Sequence, residues 1–589
     1  MSGQQTDWKP YPVKAFDGGI NTQSAPEDLK DGELVDCLNV VFQKGALSSD
    51  TGYTPFGQVL YSTPTSAFQF FNTNGADTLF LSTFSALYYW GSSANWWFLC
   101  PFKTGSTTTT EALVAGATSV TVASVTGFAV GNMVGIANSD GTQSVGKILT
   151  IASLTIFFDT PIAVGKTVNN GAAVYVGTAL HGTGQYQPQW LTLPWSNSVL
   201  FTDGETVLIE INSSSQSAIL PVAGLATFIC RGLNLFHELV LLSNTIEDGT
   251  EYPQRIRNSD QANETNFTTG LAGLVDLQDT EDFILSLNQL GPWIVIYRET
   301  SIMRGTYFGG PIGVNPIIFW EYMISGEGLI STGGVAEIGS QHAFVGNAGI
   351  YLYNGGYDLE SIGDNVFWSF LSNKGDLNPS ARNTLVCFYV LELDELWILY
   401  PSGTAIVPNK MLRMVLDNNS IFIREFANLL GGYGYYQSTL STTWSALTIP
   451  WNTINNIWVS QIFTENSPTT LLCDAFNKQV YQYDYKNGTD NGTVIPWSMT
   501  TKDFSGQYMK ARLNRLILDC GGGEINVEVS LDRGATWQFY GTAVAPATPG
   551  RVFISRQLVS DFFRFKFSGT GAGIIIKWLI LEWAEESEW

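Results

Sequence analysis

Short runs of β-branched and aromatic residues, each ended by a tight turn, recur along this 589-residue chain and leave almost no room for helical periodicity. Asp77-Thr-Leu-Phe-Leu-Ser82 turns into Ala86-Leu-Tyr-Tyr-Trp90, and Ser198-Val-Leu-Phe201 turns at Asp203-Gly204 into Thr206-Val-Leu-Ile-Glu-Ile211. His342-Ala-Phe-Val345 turns near Asn347 into Gly349-Ile-Tyr-Leu-Tyr353, and Leu471-Leu-Cys-Asp-Ala475 turns at Asn477 into Gln479-Val-Tyr-Gln-Tyr-Asp484. Asn, Asp and Gly enter positive φ at little cost, so each unit reads as a hairpin. Hairpins repeating with no long helices between them build a β-propeller or a stack of β-sandwiches. Because the units span most of the chain, the expected fold is all-β with a β-propeller. No fixed period survives, so the blade number is unreadable. One short helix is expected within Asp28 to Val40, with Leu29, Leu34, Cys37 and Leu38 near one face.

Two stretches break the pattern. Residues 104–178 are rich in Thr, Val, Ala and Gly, as in Ala117-Thr-Ser-Val-Thr-Val-Ala-Ser124 and Val130-Gly-Asn-Met-Val-Gly-Ile136, and read as a small inserted β-barrel or sandwich. Residues 499–589 carry the alternating runs Ile525-Asn-Val-Glu-Val-Ser530 and Phe562-Phe-Arg-Phe-Lys-Phe567 and read as a C-terminal β-sandwich closed by an acidic tail. The propeller is then assigned to 61–103 and 179–498, with residues 1–60 an N-terminal arm leading into it.

Net charge is −23, yet only 14% of residues are charged, against roughly 25% in an average globular chain. That excludes a generally basic, phosphate-neutralising surface. The hydrophobic share of 44% excludes a disordered chain. No basic segment followed by an apolar run opens the sequence, and no stretch is apolar for the ~18 residues of a membrane span, so no membrane insertion is expected and synthesis is placed in the cytoplasm. The six cysteines lie far apart among apolar neighbours and read as small core side chains.

The chemistry of catalysis finds little support. Three histidines, His181, His237 and His342, lie far apart and match no metal-ligand spacing. No nucleophile elbow, phosphate loop or zinc helix is present. The acidic loop Asp276-Leu-Gln-Asp-Thr-Glu-Asp282 has carboxylates that would suit glycoside hydrolysis or calcium, but such a loop is more often merely solvated. Ser530-Leu-Asp532-Arg-Gly534-Ala-Thr536-Trp537 fits the Asp-box of sialidase propellers, a hairpin device in which the carboxylate bonds turn amides and glycine supplies the strained turn. No catalytic residue, cofactor or metal is therefore assigned, and the chain is expected not to be an enzyme.

The N-terminus is more specific. Phe16-Asp-Gly-Gly-Ile-Asn-Thr22, Pro26-Glu-Asp-Leu29, Asp31-Gly-Glu33, Cys37-Leu-Asn-Val-Val-Phe42, Gly45-Ala-Leu47 and Gly52-Tyr-Thr-Pro-Phe-Gly57 resemble, in that order, the opening of the tail nozzle of short-tailed phages, also called tail tubular protein B or packaged-DNA stabilisation protein. Arg231-Gly-Leu-Asn-Leu-Phe236 with Tyr252-Pro-Gln-Arg-Ile-Arg257-Asn-Ser259-Asp260, Pro292-Trp-Ile-Val-Ile-Tyr-Arg298 and Gly349 to Gly356 are similar to later parts of that family. Each match is degenerate, and together they cover about two-thirds of the chain; 104–178 and the terminal sandwich fall outside them.

The resemblance implies a virion protein: one subunit of a homo-hexameric ring below the portal and adaptor, touching tail fibres or spikes. Double-stranded DNA would be retained above it and pass through the lumen during ejection without sequence-specific binding. An acidic chain suits such a conduit, since each phosphate–cation contact adds affinity, although acidity also serves plain solubility. Phe16, Gly18, Gly19 and Asn21 are the expected assembly contacts. The glycine-aromatic stretch with Tyr433, Tyr435, Tyr436 and Trp444 is expected at an interface or nozzle tip, or else is an ordinary blade-linking loop. The alternative reading is a tail-associated propeller that binds or hydrolyses host glycans, motivated by the Asp-box and the aromatic content.

Overall fold

A computed structural model describes the chain except for residues 1–7, 44, 74, 76, 310–316, 373, 438–467, 485–486, 506–509, 572 and 586–589. Its elements are nearly all strands; the described helices are three to six residues long, such as Phe367–Phe370, and none is long and apolar enough to cross a membrane.

Antiparallel four-stranded meanders follow one another along the chain. Five stand as sheets of their own: Pro64–Phe71 to Trp96–Leu99 (blade 1), Phe228–Phe236 to Gly273–Asp276 (blade 3), Ile284–Leu290 to Ile318–Ser325 (blade 4), Val335–Ile338 to Glu360–Ser361 (blade 5) and Val386–Val390 to Ser420–Glu425 (blade 6). Two more belong to larger sheets: Gln189–Leu193 to Ser217–Ile219 (blade 2), and Leu430–Tyr436, Thr469–Asp474 and Val480–Asp484 with Gly52–Pro55 (blade 7). The first strand of each meander faces one central space, so the fold is a β-propeller, with seven blades among the described residues.

Closure uses the N-terminus. Gly52–Pro55 pairs antiparallel to Val480–Asp484 as the fourth strand of blade 7, with Tyr53 opposite Tyr483. A ring with unpaired ends would expose two sheet edges, and this strand instead ties the beginning of the chain to its last blade. Gly52 is obligatory there, since a Cβ would stand 2.0 Å from the Thr489 carbonyl oxygen.

Residues expected to form an N-terminal arm do lead into the propeller, but on the way they build the terminal sandwich. Lys9–Val13 and Ala46–Ser49 pair with Ile575–Glu585, and Glu33–Leu38 pairs with Pro496–Thr501. The short helix expected within Asp28 to Val40 is therefore absent. Leu34 and Cys37 are buried on a strand, and Asn39, at φ 56°, ends it in the left-handed region. Long-range pairing on both sides outweighs the weak local helical pattern. Sandwich residues such as Phe16, Leu34, Phe565 and Leu581 share one apolar cluster with Ile398, Leu412 and Ile421 of blade 6 and Val345 of blade 5, so sandwich and propeller pack as a continuous core.

Between blades 1 and 2, Met133–Ala137, Gln143–Ala152, Thr155–Phe158 and Ala173–Gly177 enclose their own cluster of Val120, Val134, Ile148, Ile156 and Val174. Strand Pro101–Thr108 links it to the propeller, bridging to blade 2 at Phe102 and Ser217 and pairing with Ala173–Gly177. All six cysteines are buried and unpaired, in keeping with their apolar surroundings.

Candidate functional site: the central channel and its supports

Strands of neighbouring blades share no ladder at the axis, so side chains tie the inner strands together. The Trp190 indole donates to Ser66 Oγ at 3.2 Å, and the Leu233 amide donates to Gln189 Oε1 at 2.6 Å. Asn234 Nδ2 donates to the Leu287 carbonyl at 2.9 Å, and Ser331 Oγ to the Leu385 carbonyl at 2.7 Å. Tyr435 Oη donates to the Tyr389 carbonyl, and the Gln437 amide to Gln69 Oε1 at 2.7 Å. His342 makes the junction of blades 4 and 5. Its Nε2 lies 2.9 Å from the Gln289 carbonyl and must donate, which leaves Nδ1 to accept from Tyr297 Oη at 2.9 Å. Burial holds this imidazole down at about 4, against the smaller upward pull of the Gln289 carbonyl, so it is neutral.

The space these strands surround has a volume of about 550 Å³ and is lined from every blade. Its surface is built of amides, hydroxyls and aromatic rings, among them Trp190, Tyr433, Tyr435, Gln189 and Asn288. Glu337 is the one fully charged side chain among the described lining residues, and no described residue gives it a hydrogen bond or ion pair. Partial desolvation within the channel raises its pKa above the ordinary value although its side chain is exposed to that space, and Tyr433 is pushed up to about 12 by burial, then by Cys387 and Glu337.

A second cluster is structural. Glu395, Arg413 and Arg424 of blade 6 meet Asp50 and Asp490, all at most 3% exposed. Arg413 grips Glu395 in a bidentate pair at 2.8 and 2.9 Å and reaches Asp50 Oδ1 at 2.5 Å; Arg424 reaches Asp490 Oδ1 at 2.6 Å and lies 3.2 Å from Asp50. Tyr483 Oη adds a 2.7 Å bond to Asp50. Burial alone would push Asp50 up, and the two guanidiniums outweigh it and hold its carboxyl below the ordinary range. Asp490, with burial dominant and only Arg424 opposing strongly, rises to about 6. Since Asp50 and Asp490 flank the closing strand, this cluster locks the ring shut.

Sequence-derived sites fall as follows. Phe16 is 1% exposed in the sandwich–blade core, and Asn21 is buried with its Oδ1 accepting from the Gln23 and Ser24 amides. A Cβ on Gly19 would meet the Ile421 backbone at 2.6 Å, and one on Gly18 would meet Glu33. Of the expected assembly contacts, Phe16, Gly19 and Asn21 are thus buried inside the chain, where this segment is wedged between sandwich and blade 6, and Gly18 is half-buried. Tyr433 stacks on Phe388 at 4.2 Å between blades 6 and 7, and Tyr436 packs on Phe56, so these rings belong to the propeller wall rather than to a projecting tip. Trp444 lies outside the described residues, as do the first seven residues and the end of the acidic tail.

His181 is exposed, and His237 stacks on Tyr307 at 4.3 Å. In the acidic loop, Asp276 pairs with Arg255 at 2.7 Å, and Asp282 accepts from Thr300 and Ser301. The Asp-box is a turn: Asp532 accepts from the Thr536 amide at 2.8 Å, and its bonds from Thr536 and Ser530 hold it at about 2. No cluster of potential metal ligands is present among the described residues. Sequence reading missed Glu337 and the buried charge cluster. Arg413, alone between apolar neighbours in Lys410-Met-Leu-Arg-Met-Val415, was the available signal, since a charge on an otherwise buried strand requires a partner.

No family model matches the chain, and no curated protein matches it. Among solved structures it is similar to PorZ, an essential bacterial surface component of the type-IX secretion system of Porphyromonas gingivalis (9% identity, 83% of this chain, TM-score 0.31), of whose length it spans 46%. It is also similar to the exo-β-1,3-galactanase of Phanerochaete chrysosporium (8% identity, 90% of this chain and 100% of that one, TM-score 0.20) and to GH43B of a Bacteroides ovatus xyloglucan PUL (8%, 67% and 97%, TM-score 0.20). At these scores the likenesses carry no functional argument.

Proposed function

We propose that this chain is a structural subunit of a phage virion, one of six copies in a tail-nozzle ring below the portal and adaptor. The lumen between copies retains packaged DNA, conducts it during ejection, and makes no sequence-specific contact with it; fibres or spikes dock on the outside. The ordered family resemblance motivates this reading. The observation that carries it is large apolar side chains left in solvent on separate parts of the molecule. Phe308 and Phe319 meet edge to face on blade 4 at 70% and 54% exposure. Phe539, Val544, Phe553 and Val559 are exposed along neighbouring strands of the sandwich. Apolar groups gathered this way favour burial against other subunits.

The discriminating experiment is co-sedimentation of the intact chain with the portal–adaptor complex of the phage that encodes it. Association that Phe539→Ser with Phe553→Ser weakens, at unchanged melting temperature, supports the reading. A chain that ignores that complex and instead turns over host polysaccharide, with turnover abolished by one carboxylate substitution, overturns it in favour of glycan recognition.

A further inference from the structure

The channel wall is chemically one-sided. Its described lining presents no Lys, Arg or His, and its single full charge is the Glu337 carboxylate. Asp50, Asp276, Asp282, Glu395 and Asp490 each have a guanidinium, hydroxyl or amide bonded to them, whereas Glu337, exposed to the channel, has no described partner. Exposed to the channel space, this carboxylate offers a bound cation the one counter-charge of the described wall. Tyr433, Tyr435 and Trp190 also line the channel, Tyr433 with one face stacked on Phe388, and electron-rich rings attract cations. Gln189 and Asn288 add neutral amide groups from blades 2 and 4. The cavity, about 550 Å³, is in the range that holds small molecules.

We infer that the central channel is a binding site for a small organic cation, a protonated amine whose ammonium sits on the Glu337 carboxylate while its carbon chain lies along the aromatic wall. Anions are excluded, because nothing described in the wall compensates them. A neutral polyol would use the amides and rings but leave Glu337 unpaired. Ammonium binding favours the ionised carboxylate, so affinity falls as Glu337 becomes protonated at lower pH.

The site is tested on the intact chain by titration calorimetry with 1,4-diaminobutane and its neutral isostere 1,4-butanediol. About 150 mM salt screens the acidic surface, where the Debye length is ~8 Å. Glu337 is solvent-exposed in the channel, so Glu337→Gln is expected to leave the melting temperature unchanged. The expected result is one diamine site per chain, weakened about tenfold or more in E337Q, with no matching heat from the diol. Equal diamine binding by E337Q places the cations on the outer surface and overturns the inference. So does diol binding equal to diamine binding, which makes the channel a neutral-polyol site, and so does no diamine binding up to roughly 10 mM.

Discussion

Arg413 sits with 1% of its surface exposed between Glu395 and Asp50, and removing its charge leaves both carboxylates buried without their main counter-ion. Arg413→Met is therefore expected to cost about 3–5 kcal/mol, and adding Glu395→Met to restore much of it, because a buried pair replaced as a unit loses far less than one broken in half. Urea unfolding of the two variants reads this directly; equal destabilisation by both would contradict it. His342 gives the pH counterpart. Its folded pKa, about 4, lies below the ordinary value near 6.5, so its contribution is fully present above pH 6.5 and is lost as pH falls toward 4. Between pH 7.5 and 5 the stability advantage of the native chain over His342→Gln is expected to shrink by about 2 kcal/mol. An advantage that stays constant across that range would contradict the buried neutral imidazole.

Hairpins were the elements most legible in the sequence, and the reason is local. The three units with Asn, Asp or Gly at the turn are the second and third strands of blades 2, 5 and 7, and the fourth unit, in blade 1, turns through Thr83-Phe84-Ser85 instead. At Asp203 the carboxylate accepts the Glu205 and Thr206 amides, which holds the turn and delays the next strand to Ile209. Blade 3 hid its first turn. His237 and Glu238 both take positive φ there, 51° and 62°, without a residue type that announces it. Blade number was unreadable because blade 2 stands beyond a long insert and the fourth strand of blade 7 comes from the far end of the chain. Nor does any periodicity reveal that Glu33–Leu38 pairs with Pro496–Thr501, or that Glu337 meets residues of other blades at the axis. The closing strand makes its own prediction. Gly52→Ala places a methyl against the Thr489 carbonyl and is expected to lower stability by about 1–3 kcal/mol, read as a lowered melting temperature. An unchanged melting temperature would mean that the closure has slack.

On the scale of the whole molecule, both ends of the chain fold into one sandwich that packs on blades 5 and 6, so the propeller is closed and anchored by the same N-terminal segment. Much of the N-terminal pattern that resembles the nozzle family is spent on this internal fastening: Phe16, Leu34, Cys37 and Leu47 are buried in it, whereas Asp17, Glu27 and Asp28 stay exposed. Under the proposed function, partner surfaces are expected instead where apolar side chains stay exposed, on blade 4 and the sandwich. In the proposed ring, a net charge of −23 would give the shared lumen little affinity for a polyanion. The most direct measurement is particle imaging of the purified chain, alone and mixed with the portal–adaptor complex. The nozzle account expects a six-fold ring seated on that complex around an axial channel between copies. A monomer or trimer that leaves the complex bare would contradict it.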